Sequence, residues 1–442
     1  MKTMIKNALK DKDFSELLKG SGISFFLRFG GLSIGYLLTL VIARLFGAEG
    51  LGEYILAITI LRLFALLAKL GLDTTSIRFI ASYASQSKWT SIFHFRKQIV
   101  SILSITSILS SLLMYFLSEP ISNLINTNVE YIQLNAFFVL PMSFFMLHYQ
   151  SLRGLKRIAE FSFFYRVSQG LFSIIAILIL YQFFTSEEIP VYAYLISVLI
   201  VSILSFFSFV YWLNKRSKGI ESAVLEVKSY SNLLKISIPL MFAQSVQFIM
   251  AWTDKLMLGS MSTPEEVGIY HTAFKLSMFA AVALMSINSI ASPKFAEMYA
   301  KNDMIRLKKV VRQSTKMIFW TSVPLVIIFF MFPEFLLGLF GEEFKIGKTA
   351  FIFLSCGRLI SSFSGSVGNI LQMTGNQNIF SKILFLGAIL NVVLNLILIP
   401  RYGINGAAVA SMSSLILWNL SMVLVVKKRF GFYTFYIPFI KT

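Results

Sequence analysis

The sequence predicts an all-α integral membrane protein with about twelve transmembrane helices, and three observations predict this fold class. Hydrophobic residues make up 56% of the 442 residues, and the mean hydropathy is +0.73. Charged residues make up only 14%, well below the roughly 25% of soluble domains. Apolar runs long enough to cross a bilayer recur along the chain. A soluble core cannot hold so much apolar side chain, whereas lipid is itself an apolar solvent.

The predicted spans are runs of roughly 18–25 mostly apolar residues, separated by segments that favour turns. Glycine and proline mark several boundaries, as at Gly50, Pro120, Pro264 and Pro333. The spans lie near 22–46, 51–70, 99–118, 130–150, 162–184, 190–213, 235–260, 267–291, 317–340, 349–372, 382–400 and 405–426. This map places six spans in each half of the chain.

The distribution of charge predicts that both termini lie in the cytoplasm. With that orientation, the outer loops contain many glutamates and only three basic residues, Lys345, Lys348 and Arg401. Most of the other basic residues lie in inner segments, as the positive-inside rule requires. Membrane orientation therefore explains the formal net charge of +19, and we expect the lipid bilayer, with no nucleic acid, as the partner.

The two halves share a local pattern where an outward-going helix turns back. Residues 43–47 and 52–54 (ARLFG and GEY) correspond to 254–259 and 268–270 (DKLMLG and GIY). Six spans per half give both halves the same orientation, which predicts two pseudo-symmetric six-helix bundles. Two such bundles can expose a central cavity alternately to each side of the membrane, which favours a transporter over an enzyme.

The predicted domain organisation follows from these two bundles. It consists of a cytoplasmic interfacial basic helix at 1–20, an N-terminal six-helix bundle at 21–213, a cytoplasmic linker at 214–234, a C-terminal six-helix bundle at 235–426 and a cytoplasmic tail at 427–442. Lysines interleaved with apolar residues in the first segment are typical of a helix on anionic headgroups, and a frayed basic tail is the alternative.

Four stretches carry a resemblance to a known family. They are ARLFGAEGLGEY at 43–54, GLDTTSIRFIA at 71–81, ISIPLMFAQ at 236–244, and DKLMLG followed by EEVGIY within 254–270. The chain resembles the Wzx-type polysaccharide and O-antigen flippases of the multidrug/oligosaccharidyl-lipid/polysaccharide (MOP) exporter superfamily. The likeness covers nearly the whole chain, although the chain lacks room for two further spans that are common in lipid II flippases.

The resemblance implies a multi-pass protein of the bacterial cytoplasmic (inner) membrane with a fold like that of the MATE exporters. It also implies a substrate, the undecaprenyl-diphosphate-linked oligosaccharide repeat unit, which alternating access would translocate from the inner to the outer leaflet. Such a flippase would serve the biosynthesis of lipopolysaccharide O-antigen, capsule or exopolysaccharide. The polymerase of the same pathway is the protein partner that this role suggests.

Charged side chains inside the predicted spans are candidates for function, because each costs roughly 2.5–3.5 kcal/mol on insertion scales. The basic ones are Arg28, Arg44, Arg62, Lys255, Lys275 and Arg358, and the single acid is Asp254. We expect Arg28, Arg62, Arg358 and Lys275 to line a cationic cavity that binds the diphosphate, because arginine bonds phosphate oxygens bidentately. Pairing with helix carbonyls or snorkelling to lipid phosphate is the alternative.

Arg44, Asp254 and Lys255 lie near the outer ends of spans 1 and 7, where two roles are open. In the first, Asp254 and Arg44 form an ion pair at an outer gate, or the basic side chains simply snorkel to the membrane surface. In the second, Asp254 binds a proton or a sodium ion whose gradient drives transport. No cofactor is expected, and the chain has no Walker motif, so ATP is not the direct energy source. The membrane potential is a further candidate, because it favours outward movement of an anion.

Amides inside the spans could hydrogen-bond sugars. They are Gln133, Asn135, Gln244, Gln247, Asn391 and Asn395. Hydrogen bonds between helices are the alternative role, and the more common one for amides in bundles.

Enzyme chemistry and metal binding are not indicated. The one cysteine, Cys356, and three widely separated histidines do not suggest a metal site, and we expect His148 and Asp73 to be structural or interfacial. A multidrug or organic-cation exporter would need acidic cavity residues, whereas the charges in the predicted spans are mainly basic. A membrane polysaccharide polymerase would need a large outer loop, whereas the predicted outer loops are short.

Overall fold

The computed structural model describes residues 12–218 and 229–436. These residues form helices joined by short turns, with no β-strand among them. The helices before residue 218 are α1 (Lys12–Ala68), α2 (Leu72–Ser85), α3 (Trp89–Phe116), α4 (Ser118–Ile125), α5 (Val129–Phe137), α6 (Val139–Gly154), α7 (Ile158–Phe163), a π-helical turn (Phe164–Ser168), α8 (Gln169–Phe183) and α9 (Ile189–Ser217). The predicted all-α fold class is confirmed.

The second group of helices begins after residue 229. It comprises α10 (Tyr230–Met261), α11 (Pro264–Ser277), α12 (Phe279–Ala300), α13 (Met304–Met331), α14 (Pro333–Gly338), a 3₁₀ turn (Glu342–Gly347), α15 (Lys348–Ser364), α16 (Val367–Met373) and α17 (Gln377–Phe430). Most of the predicted basic helix at 1–20, and parts of the predicted linker and tail, lie outside the described residues.

The chain forms two compact units. Unit 1 contains residues up to Leu45 and Ala57–Phe248, and unit 2 contains Phe46–Leu56 and the residues from Ile249 onward. The tip of the first hairpin therefore belongs to unit 2, and α10 passes from one unit into the other near its break between Val246 and Ala251. The division into bundles at 213 and 235 stays a prediction.

Glycines interrupt the two longest helices. Within α1, Gly47 has φ 70° and ψ −172°, and within α17, Gly403 has φ 52° and ψ −131°. Residues with a Cβ rarely adopt a positive φ, so glycine is the residue that permits these reversals. Each long helix is thus two helices joined at a glycine, at the positions where the sequence predicts turns between spans 1 and 2 and between spans 11 and 12.

The described residues contain seven helices long and apolar enough to cross a membrane, or up to ten when each bent helix pair is counted as one span. The protein is therefore a multi-pass membrane protein. The number twelve and the cytoplasmic termini stay predictions.

One face of α3 shows how the helices meet lipid. Ile105, Leu109, Leu112 and Phe116 recur at helical spacing and are exposed. The opposite face is buried and polar in part, and Ser110 donates a hydrogen bond to the carbonyl of Phe64 at 3.0 Å. Apolar residues outside and hydroxyls inside are what a bilayer favours, because polar groups must find partners within the protein.

Two glycines allow the tip of the first hairpin to pack tightly within unit 2. A Cβ on Gly52 would lie 1.7 Å from the carbonyl oxygen of Pro264, and a Cβ on Gly268 would lie 2.0 Å from that of Ala48. The contact is reciprocal, because each glycine packs against the residue that lies four positions before the other glycine. This matches the internal repeat that the sequence predicts at 43–54 and 254–270.

Candidate functional site

The carboxylate of Asp254 accepts three hydrogen bonds, all from neutral side chains of unit 2. The hydroxyl of Tyr270 donates to Oδ2 at 2.7 Å, and the hydroxyl of Ser411 donates to the same oxygen. The amide of Asn395 donates to Oδ1 at 2.7 Å. Asp254 belongs to none of the ion pairs identified among residues 12–218 and 229–436. We call these four residues, with Asn391, the Asp254 cluster.

Three helices bring the cluster together. Asp254 lies in the part of α10 that follows its break, and Tyr270 lies on α11, fully buried. Asn395 and Ser411 both belong to α17 but lie on opposite sides of the break at Gly403. The reversal at this glycine lets both halves of α17 present polar groups to one carboxylate.

The Asp254 cluster has spare capacity for a positive charge. A carboxylate offers about four lone-pair positions, and three are used here. The buried Oδ1 of Asn395 has no hydrogen-bond partner among the described residues, and the amide of Asn395 also donates to Oδ1 of Asn391 at 3.1 Å. Carboxylate and amide oxygens are the ligands that hard cations take in proteins. The arrangement can therefore accept a proton or hold a small cation.

A second group in unit 2 gathers positive charge around an aromatic ring. The Lys255 ammonium lies 4.7 Å from the centre of the Phe274 ring and 4.4 Å from that of Trp252. The Arg358 guanidinium lies 5.4 Å from the Phe274 ring. Cations over ring faces gain electrostatic stabilisation from the rings. Lys255 is 5% exposed and also donates to the carbonyl of Ala251 at 3.3 Å.

In unit 1, Arg62 donates hydrogen bonds to two uncharged side chains. Its Nε donates to the Tyr194 hydroxyl at 3.1 Å, and its Nη2 donates to Oε1 of Gln169 at 3.2 Å. Tyr194 lies on α9, and Gln169 begins α8 directly after the π-helical turn, a feature that often marks functional positions. Sequence reasoning missed both partners, although Gln169 is itself a polar residue inside a predicted span.

The residues predicted to line the cationic cavity belong to both units. Arg62 belongs to unit 1, whereas Lys275, half-buried in the last turn of α11, and Arg358 belong to unit 2. Arg28 lies in α1, but its side chain is outside the described part of the structure, and Arg44 is exposed on the same helix. A single cavity lined by these residues stays a prediction, as does the outer gate of Arg44 and Asp254.

Two of the predicted amides join helices of unit 1. Asn135 is fully buried and donates to the carbonyl of Ala57 at 2.9 Å. Gln244 donates to Thr74 at 2.7 Å and to the Asp73 carboxylate at 3.2 Å. Both contacts fit the alternative role of hydrogen bonding between helices. The side chain of Gln247 lies outside the described part, and Gln133 is half-buried on α5.

The sequence matches two known protein families. A family described as "Polysaccharide biosynthesis protein" matches residues 17–299, well over half of the chain. The chain belongs to the polysaccharide biosynthesis protein family. A second family, MatE, matches residues 239–397. The polysaccharide biosynthesis protein family is thus recognised across both units, and the MatE match falls mainly on unit 2.

Curated relatives of this family member include two with informative names. "Probable low-salt glycan biosynthesis flippase Agl15" of Haloferax volcanii is 26% identical over 165 residues, which are 37% of this chain and 35% of that protein. "Capsular polysaccharide biosynthesis protein CapF" of Staphylococcus aureus is 23% identical over 244 residues, 55% of this chain and 61% of that protein. The chain thus spans about a third to three fifths of these relatives.

Solved structures show the fold of this polysaccharide biosynthesis family member. An inward-facing multidrug resistance MATE family transporter of the MOP superfamily aligns with TM-score 0.74 at 14% identity, covering 90% of this chain and 94% of that one. The lipid II flippase MurJ, in an inward closed conformation, aligns with TM-score 0.71 at 18% identity, covering 93% and 87%. The predicted MOP superfamily fold, like that of MATE exporters, is confirmed.

Proposed function

We propose that this chain is a flippase that translocates undecaprenyl-diphosphate-linked oligosaccharide repeat units from the inner to the outer leaflet of the cytoplasmic membrane. The membership in the polysaccharide biosynthesis protein family across residues 17–299 carries this proposal. The names of the relatives Agl15 and CapF support the same direction, because they refer to glycan flipping and capsule synthesis. The product would serve O-antigen, capsule or exopolysaccharide assembly, with the pathway's polymerase acting next.

The charges of the predicted spans support an anionic substrate. Arg62, Lys255 and Arg358 are held by aromatic rings, hydroxyls, amides or carbonyls in the contacts described above. Basic side chains outnumber the one acid, Asp254, in the predicted spans, and this surplus of positive charge would attract a diphosphate. An organic cation would be repelled by the same residues. The flippase is therefore favoured over a multidrug exporter.

We further propose that Asp254 couples transport to an ion gradient. Its three neutral partners position the carboxylate without cancelling its charge, and the unpartnered oxygen of Asn395 adds a ligand. Binding of sodium or a proton there would neutralise the carboxylate and bias unit 2 between two conformations. The membrane potential would add about 2.3 kcal/mol per charge per 100 mV to the outward movement of an anion.

The proposed flippase is tested by extracting lipid-linked saccharides from a strain that lacks the gene. We expect diphosphate-linked repeat units to accumulate and to be accessible from the cytoplasmic side alone. Complementation with an Arg62→Gln, Arg358→Gln double variant should restore about a hundredth of the export, if each arginine contributes about 1.4 kcal/mol to diphosphate binding. Arg153→Gln is the matched control, because Arg153 is exposed and lies at the inner end of α6.

Two outcomes would contradict the proposal. An unchanged pool of lipid-linked saccharides together with new sensitivity to cationic drugs would identify a multidrug exporter. Accumulation of single repeat units on the outer side of the membrane would identify a polymerase, since flipping would then be intact.

A further inference from the structure

A small pocket in unit 1 contains two titratable side chains that the proposed transport does not use. It lies among α2, α3, α6 and α9 and is lined by Ser76, Arg96, His148, Ser151 and Phe209 together with aliphatic residues. Its interior has room for about one water molecule and it is partly open to the outside, so a ligand would reach Arg96 and His148 with a small polar group. We call it the Arg96 pocket.

Arg96 is oriented by aromatic rings rather than by an acid. Its guanidinium lies 5.5 Å from the centre of the Phe206 ring and 5.8 Å from that of Phe209. None of the ion pairs and hydrogen bonds found in the described part of the chain involves this side chain. These ring contacts hold the guanidinium beside the pocket and leave its N–H donors available to an anion.

His148 adds a polar group beside the guanidinium. Its ring packs against the same two phenylalanines, at 5.4 Å from Phe206 and 6.2 Å from Phe209. The side chain is only 5% exposed, and its buried Nδ1 has no hydrogen-bond partner among the described residues. A buried polar atom without a partner is costly unless a ligand or water supplies one. A ligand in the pocket could therefore bond to Nδ1, and an anion would do so as the acceptor when that nitrogen carries the ring proton.

The surroundings place the pocket at the level of lipid headgroups. Arg96 and His148 lie about two turns from the ends of α3 and α6. At the same end of α9, the ring of Trp212 lies 3.3 Å from the Arg157 guanidinium and 5.1 Å from the Lys215 ammonium. Tryptophan with lysine and arginine is typical of the membrane–water interface on the cytoplasmic side.

Deeper along α9 the surface is suited to acyl chains. Ile203 and Phe207 are 55% and 62% exposed, and Phe206, which contacts both Arg96 and His148, is 36% exposed. A free phosphate ion would gain nothing from this apolar surface, whereas a lipid would cover it with its tails. We propose that the Arg96 pocket binds the phosphate of an anionic phospholipid of the inner leaflet, with Arg96 as the ionic donor and His148 as the hydrogen-bonding partner.

Native mass spectrometry of the purified full-length chain tests this proposal. Phosphatidylglycerol and phosphatidylcholine of identical acyl chains are titrated separately into the wild type and four variants. Arg96→Gln should weaken phosphatidylglycerol binding about tenfold, since hydrogen bonds to charged groups are worth at least this much. His148→Phe preserves the ring packing and should weaken it less, and Arg96→Lys should retain most of it. Lys97→Gln is the matched control, because it removes an exposed charge at the neighbouring position, and should bind as the wild type does.

The results separate the lipid from other ligands. Equal retention of phosphatidylglycerol by the wild type and Arg96→Gln, with both monodisperse, would overturn the proposal, as would equal binding of the two lipids by every variant. If Arg96→Gln does not fold, the Arg96→Lys and His148→Phe variants decide. Displacement of phosphatidylglycerol by millimolar inorganic phosphate would instead identify a free-phosphate site and overturn the assignment to lipid. Because the experiment measures lipid binding and not transport, each outcome can be interpreted whether or not the chain is a flippase.

Discussion

Asp73 in unit 1 and Asp254 in unit 2 are both held by hydrogen bonds inside helical bundles, but the charge of their partners differs. Asp73 forms an ion pair with Lys69 at 2.7 Å, with side chains 2% and 7% exposed, and accepts a further bond from Gln244. Asp254 accepts bonds from Tyr270, Ser411 and Asn395. The first carboxylate is paired with a lysine, whereas the hydrogen bonds to the second come from neutral side chains.

This difference indicates which of the two acids is available to bind a cation. A buried acid already paired with a lysine gains little from binding a cation, so it serves to hold α2 against its neighbours. An acid held by neutral donors is positioned but not neutralised, so protonation or a bound cation changes its energy substantially. We therefore propose a structural role for Asp73 and a coupling role for Asp254, and substitutions at the two acids should differ in their effects.

The largest expected effect is on stability in unit 1. Asp73→Asn leaves the charge of Lys69 buried without its partner, which should lower the free energy of unfolding by about 3–5 kcal/mol. Adding Lys69→Met should recover most of that loss, because the double variant contains no buried charge at this position. Thermal unfolding of the purified chain in detergent measures both, and a stable Asp73→Asn single variant would contradict the structural role.

The next effect is on transport and comes from unit 2. Asp254→Asn is nearly isosteric and can still accept from Tyr270 and Ser411, so the chain should fold and reach the membrane. Export of lipid-linked repeat units should nevertheless fall roughly a hundredfold, equivalent to about 2.8 kcal/mol, because the coupling charge is lost. The Lys69→Met, Asp73→Asn double variant should export normally. Loss of export in both variants to the same extent would mean that the two acids do not differ in role.

A smaller effect is expected at Asn395. Asn395→Ala removes one donor to the carboxylate and the unpartnered oxygen beside it, so cation affinity should fall about tenfold. Asn419→Ala is the matched control, since Asn419 lies on the same helix and donates only to the carbonyl of Leu415. Cation-dependent thermal stabilisation measures both, and equal responses would remove Asn395 from the site.

The smallest effect is expected at an acid in a third situation, exposed and paired. Lys348 donates to Glu334 at 2.7 Å, and this hydrogen bond lowers the pKa of the Glu334 carboxyl below its ordinary value. The pair stabilises the fold above the ordinary pKa of a glutamate, and that contribution is lost as the pH falls through the lowered value. Lys348→Ala should thus differ slightly from the wild type at neutral pH and not in acid, because exposed pairs contribute little. Thermal unfolding of both proteins at neutral pH and in acid measures this difference in stability. A larger difference in acid than at neutral pH would contradict the prediction.

The sequence predicts those parts of the fold that local chemistry determines. Apolar runs reveal the helices, and the glycines at 47 and 403 reveal the reversals, because each feature is contained in a short stretch of chain. Asp254 stands out for the same reason, since a carboxylate inside an apolar run needs an explanation.

The partners of these residues could not be predicted in the same way. Ser411 lies 157 residues from Asp254, and Tyr194 lies 132 residues from Arg62. Nothing in the local sequence specifies which distant helices will meet. The same holds for Arg96 and His148. They are far apart in the sequence, and only the folded structure shows that both contact Phe206 and Phe209 of α9.

Cation binding by the purified full-length chain tests directly whether Asp254, and not Asp73, is the acid that binds a cation. Sodium binding and proton uptake are measured side by side on the wild type, on Asp254→Asn and on the Lys69→Met, Asp73→Asn double variant. We expect one of the two cations to bind to the wild type and the double variant, and we expect Asp254→Asn to abolish this binding. Unchanged binding of both cations in Asp254→Asn, or binding that is lost only in the double variant, would contradict it.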